Sequence, residues 1–177
     1  MILLVDICNE KLHSLEFVEP IKKIVESVGC EYEVVHYNDL DKEILGRCEK
    51  VIICGTSIRD NLFLKDKKKF KWISNFDKPI FGICGGMHLV ALQFGGKVKT
   101  KKQIGFKEII FENKFLGVEG VKNVYLLHSK FAFSDEFDIF AFDGCPQAIK
   151  HKEKDVYGVL FHPEVRNKEF ILNFLSI

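Results

Sequence analysis

The chain has 177 residues, of which 47% are hydrophobic and 29% charged, with a net charge of +1. That length suits one globular domain with a sizeable core, and the apolar content excludes a disordered chain. The charge balance argues against nucleic-acid binding through bulk electrostatics, though it leaves room for a local basic patch, and no segment is long and apolar enough to predict a membrane span.

The N-terminal run "ILLVDI" predicts a buried strand; it lacks the basic lead-in and small-residue cleavage site of a signal peptide. Leu15, Val18, Ile21, Val25 and Val28 recur at helical spacing and Gly29 closes that helix, with Pro20 marking a kink or a late start. "YEVVHY", "KVIICG" and "KPIFGI" predict three more strands. After Cys84 the pattern turns helical, with Met87, Val90, Ala91 and Phe94 on one face and Gly95-Gly96 at its end. Alternation of strand and helix implies right-handed crossovers and a parallel sheet covered on both faces. The second half is strand-rich: "IGFKEIIF", "NVYLLH", "FDIFAF", "QAIKH" and "VYGVLF" predict an antiparallel extension, and "EVRNKEFILNFLSI" a closing helix. No repeat or flexible linker interrupts residues 1–177, so they read as a single domain. The expected class is α/β, a three-layer sandwich around a mixed, mostly parallel sheet.

The six cysteines are scattered without a CxxC pair, which suits a reducing cytosol and predicts a cytoplasmic protein. His13, His36 and His151 lack metal-ligand spacing, so no metal is expected.

The chemistry centres on "FGICGGMHLVALQFGG". A strand, a Gly-x-Cys-x-Gly turn and a helix describe a nucleophile elbow, in which Gly82 and Gly86 make room for a tight turn and Cys84 projects from the carboxyl end of the sheet. The helix N-terminus favours thiolate, and the Gly85 N–H is placed for an oxyanion. Taken alone, the elbow fits a buried core cysteine equally well. "YGVLFHPEV" supplies the second signal. It sets His162 just past a strand and Glu164 two residues on, so that a base and its orienting carboxylate complete a Cys-His-Glu triad.

With "GICGGMH" and "GVLFHPEV", and more loosely "CGTS", "QIGF" and "LHSKF", in that order, nearly the whole chain resembles the class I (triad) glutamine amidotransferases, whose fold is flavodoxin-like. "GICGGMHLVALQFGGKV" and "CPQAIKHKEKDVYGVLFHPEV" are most similar to the free-standing amidotransferase subunits of GMP synthases. The resemblance implies a glutaminase that hydrolyses the glutamine side-chain amide. Cys84 forms a thioester, His162 moves the protons, Glu164 holds His162, and ammonia passes to a separate synthase subunit without metal or organic cofactor. It also implies that Gly55 completes the oxyanion hole and that Ser129, Lys130 and Phe131 fix the substrate α-carboxylate; Ser129 reads equally well as a turn former. Two departures stand out. The family's Gly-Gly-Pro loop is Gly55-Thr56-Ser57 here, and His88 occupies the position of a substrate-contacting Gln. His88 is open between holding glutamine, taking another ligand and weakened activity. Two other classes therefore stay in view: a stand-alone γ-glutamyl hydrolase of the same fold, and a catalytically weak regulatory or binding subunit. The lysine runs at 65–71 and 97–102 read as solvated faces or as a docking surface for an acidic partner.

Overall fold

A computed structural model describes residues 1–177. In chain order the elements are β1 (Ile2–Asp6), α1 (Lys11–Phe17), α2 (Glu19–Ser27), β2 (Tyr32–His36), α3 (Lys42–Arg47), β3 (Lys50–Ile53), α4 (Leu62–Lys65), α5 (Trp72–Asn75), β4 (Ile80–Ile83) and α6 (Gly85–Gln93). They continue with β5 (Lys97–Phe115), β6 (Val118–Phe133), β7 (Phe137–Phe142), β8 (Pro146–His151), β9 (Val156–Val159) and α7 (Glu169–Leu175).

One nine-stranded sheet runs β2-β1-β3-β4-β9-β8-β7-β5-β6. The first five of these strands are parallel and the rest antiparallel, the mixed sheet expected. The parallel half has the flavodoxin-like order, in which ligands sit beyond the carboxyl ends of the strands. Successive side chains of β1 enter different cores: Ile2 and Leu4 join α1, α2 and α7 on one face, and Leu3 and Val5 join α4, α5 and α6 on the other. A strand buried on both faces reads as an unbroken apolar run, which is why "ILLVD" was legible as one. No helix is long and apolar enough to cross a membrane.

Three expectations are corrected in detail. The predicted helix over residues 15–28 is two helices, because the chain breaks at Val18 and Pro20 enters the first turn of α2, where its missing N–H costs nothing. Leu15 and Val28 are consequently exposed, at 65% and 50%. The strand predicted at "IGFKEIIF" begins earlier, since β5 takes in the 97–102 lysine run, is 19 residues long and forms an extended hairpin with β6. The closing helix is shorter than predicted, since residues 164–168 form the turn that carries Glu164.

Most phenylalanines are core. Phe111, Phe115, Phe161 and Phe170 cluster with centroid separations of 5.2–6.2 Å and tie the hairpin to α7, each buried ring contributing about 2 kcal/mol. Their packing anchors the tip of the hairpin, while the middle of β6 reaches the site, where the Cys84 thiol meets the Leu127 carbonyl at 3.7 Å and the His162 N–H meets the Tyr125 carbonyl.

Candidate active site

Cys84 sits between β4 and α6 with φ +49° and ψ −101°, a conformation that L-residues seldom adopt. The turn is tight enough that a Cβ on Gly82 would lie 2.5 Å from the Gly86 backbone, and one on Gly86 would collide with the Ile53 carbonyl. The glycines are thus required by close approach, and the backbone strain is concentrated at the nucleophile position. Gly85 begins α6, so its N–H has no partner within the helix; a Cβ there would meet Ile7 and Phe63 at 2.7 and 3.1 Å.

His162 follows β9, with its backbone N–H donating to the Tyr125 carbonyl at 2.9 Å and Phe17 packed on its ring at 5.3 Å. Its Nδ1 lies 2.7 Å from Glu164 Oε1, and both side chains are 1% exposed. Nδ1–H therefore donates to the carboxylate, and Nε2 is buried on the side of Cys84, where it can exchange a proton with the thiol. A carbon added to Gly55 would stand 2.8 Å from His162 Cε1 and 3.6 Å from Cys84 Cβ. The imidazole and the nucleophile thus flank one glycine, and that position cannot carry a side chain. Burial pulls the His162 pKa down, but the charges of Glu164 and Cys84 beside it prevail and hold it well above 6.5.

In front of Cys84 is a cleft with about 20 Å³ of free space, lined by Cys84, Gly85, His88, His128, Ser129, Lys130 and the loop Thr56–Asn61. This loop is organised by Asp60, which accepts from Thr56 Oγ1 at 2.8 Å and from the Asn9 N–H at 2.7 Å. It closes on β6 through Ser129 Oγ donating to the Ile58 carbonyl at 3.4 Å and Lys130 Nζ donating to Asn61 Oδ1 at 2.9 Å. His88 stacks against Phe63 and donates from Nε2 to the Lys130 carbonyl at 3.1 Å. Burial pushes its pKa down to about 4. Phe131 does not line this cleft; its side chain faces a separate cavity beside Lys97 and Lys99.

His128 is a cleft residue that sequence reasoning did not single out. It lies one position before Ser129, is 2% exposed and stands opposite Gln103 across the hairpin. Its place inside "LHSKF" was the one available signal. Asp60 and Asn61 were equally silent, since a polar loop residue reads as solvated until the fold closes over it. Cys8 and Cys54 are buried with pKa values raised by desolvation, and no cysteine is paired.

A family model described as "Glutamine amidotransferase class-I" matches residues 13–176. Over 158 residues the chain is 30% identical to a GMP synthase (glutamine-hydrolyzing) subunit of Picrophilus torridus, covering 83% of each chain. It is 37% identical over 106 residues to the protein of the same name from Methanobrevibacter smithii, covering 55% of this chain and 56% of that one. It is 35% identical over 173 residues to the GMP synthase (glutamine-hydrolyzing) of Clostridium tetani, covering 90% of this chain but 34% of that longer protein. The chain thus spans about half and about a third of the latter two relatives. A crystal structure of a protein from Thermoplasma acidophilum, described as one of the subunits of GMP synthase, superposes with a TM-score of 0.86 at 22% identity, over 99% of this chain and 92% of that one, which shows the shared fold.

Proposed function

The chain belongs to the class I glutamine amidotransferases, and on that premise we propose that it hydrolyses the side-chain amide of glutamine and delivers ammonia to a synthase of the GMP-synthase type on a separate chain. The carrying observation is the buried His162–Glu164 pair at 2.7 Å, set beside a cysteine on a strained elbow.

The chemistry follows from those positions. The Cys84 sulfur attacks the amide carbon after its proton has passed to His162 Nε2. Negative charge gathers on the amide oxygen, where the backbone N–H groups of Gly55 and Gly85 would receive it. The C–N bond then breaks as the imidazolium protonates the departing nitrogen, leaving a thioester. Water, deprotonated by His162, cleaves the C–S bond and frees glutamate. Glu164 keeps the Nδ1–H tautomer and stabilises the imidazolium throughout. Ser129 and Lys130, which line the cleft, would hold the α-carboxylate through their backbone, and His88 would touch the substrate in place of an amide side chain. These steps use no metal or organic cofactor. The unit acts as a single domain over residues 1–177, and six unpaired cysteines support a cytoplasmic setting.

The test measures glutamate release from L-glutamine and GMP formation with a synthase catalytic subunit from the same cell. Glutamine-dependent GMP formation that disappears with Cys84→Ala supports the reading. Release of glutamate from γ-glutamyl peptides but not from glutamine would replace it with the hydrolase alternative.

A further inference from the structure

The start of β5 and the end of β6 form one side of a groove that the triad does not use. The groove holds about 570 Å³ and is lined by Lys97, Lys99, Phe131, Phe133, Ile139 and Phe142. Lys97 stands opposite Phe133 and Lys99 opposite Phe131 across the hairpin, so each lysine shares a face with an aromatic ring. Lys101 reaches the same groove: its Nζ lies over Gly144, another lining residue, where a Cβ would collide with it. None of these three lysines forms a salt bridge. Asp135 is the one acid lining the groove, and Asp143, beside Gly144, is taken by Lys107 at 2.6 Å. The apolar wall is open as well, with Phe142 62% and Ile139 43% exposed. The other lysine run, at 65–71, has no such wall. The cavity beside Lys65 is polar apart from Leu62, and Lys69 pairs with Asp66 at 3.2 Å.

We propose that this groove is the docking surface for an acidic, partly apolar segment of the synthase chain that receives the ammonia. Unpaired lysines beside exposed aromatic rings call for carboxylates set next to apolar side chains. The charges steer and orient the partner, and burial of the rings holds it. A second copy of this chain does not suit, because groove on groove would set lysines against lysines. The position fits a partner in ammonia transfer. β6 gives Lys130 to the catalytic cleft and the next residue, Phe131, to the groove, so one strand separates the two. Naming the synthase as the occupant rests on the functional reading; the charge and shape of the groove do not.

The experiment measures the affinity of the chain for the synthase catalytic subunit from the same cell, at low and at high salt. Lys97→Glu with Lys99→Glu reverses charge in the groove, and Phe142→Ser removes an exposed ring. Lys67→Glu with Lys68→Glu makes the same change in net charge outside the groove. Thermal melts check that each variant is folded. Both groove variants should bind about tenfold more weakly or worse, the control should bind as the wild type does, and wild-type affinity should fall with salt. A carbodiimide, which joins an amine to a carboxylate, should crosslink Lys97 or Lys99 to an Asp or Glu of the synthase in the wild-type complex. Equal weakening by groove and control variants, unchanged affinity in the groove variants, or no complex with the wild type overturns the surface. A complex that needs the groove but forms no GMP from glutamine overturns the functional reading and leaves the surface standing. Glutamine-dependent GMP formation that the groove variants leave untouched overturns the surface alone.

Discussion

His162 Nδ1 meets Glu164 Oε1 at 2.7 Å across a single proline, and both side chains are closed off from solvent. Base and carboxylate are therefore placed by one short turn, Pro163 limiting how far they can separate. Glu164 also raises the His162 pKa against the opposing pull of burial.

Glu164→Gln should expose both roles. The amide can keep a neighbour for the ring but supplies no charge, and it tolerates the wrong tautomer. Glutaminase kcat should fall about a hundredfold or more. Because the carboxylate holds the imidazolium to higher pH, the basic limb of the kcat/KM profile should move to lower pH. A rate–pH profile of the variant checks both, and an unmoved basic limb would deny Glu164 its electrostatic role.

Gly55→Ala tests the spacing between the two halves of the triad. The new methyl would lie 2.8 Å from His162 Cε1, inside van der Waals contact, and the ring is held at Nδ1 by Glu164. Displacement of the imidazole by even a fraction of an ångström should lower kcat/KM about a hundredfold. Steady-state glutamate release alongside a thermal melt separates this from unfolding: activity should drop far more than stability.

Cys84 offers a comparison in which the usual order reverses. Alanine ordinarily stabilises a chain relative to glycine, but at φ +49° a Cβ is strained. Cys84→Gly should therefore be more stable than Cys84→Ala by about 1 kcal/mol, with both inactive. Urea denaturation of the pair decides it; the ordinary order would mean that the elbow carries no strain.

Much of this was legible in the chain because tight geometry restricts residue choice. Gly82 and Gly86 announce the elbow since nothing larger fits, and "HPEV" after an apolar run announces the base. The double-faced burial of β1 and β4 left short apolar runs that read as strands. The first part of β5 was illegible because "KVKTKK" has no buried face to impose alternation. The split between α1 and α2 was hidden because Leu15 and Val28 keep helical spacing while facing solvent. His128 stood inside "LHSKF" without being singled out, since a lone histidine in a strand carries no sign of what will cover it.

The neutral histidines of the cleft should also shape the acid stability of the fold. His88 and His128 have folded pKa values pushed down to about 4, by burial first, from an ordinary 6.5. As pH falls below about 6.5, the unfolded chain takes up protons that the folded chain refuses. Their contribution is thus complete above that pH and is lost as pH falls toward about 4, by roughly 3 kcal/mol per residue at most. Burial lowers His151 in the same direction. His162 has the opposite sign and a separate window: raised above 6.5, its contribution is present below that pH and is lost as pH rises through its folded value. Urea midpoints measured from pH 4 to 7 should therefore fall steeply on the acid side for the wild-type chain and more gently for His88→Gln, which removes one of the resisting groups. Parallel acid limbs would show that His88 titrates freely, and hence that the cleft is open to solvent.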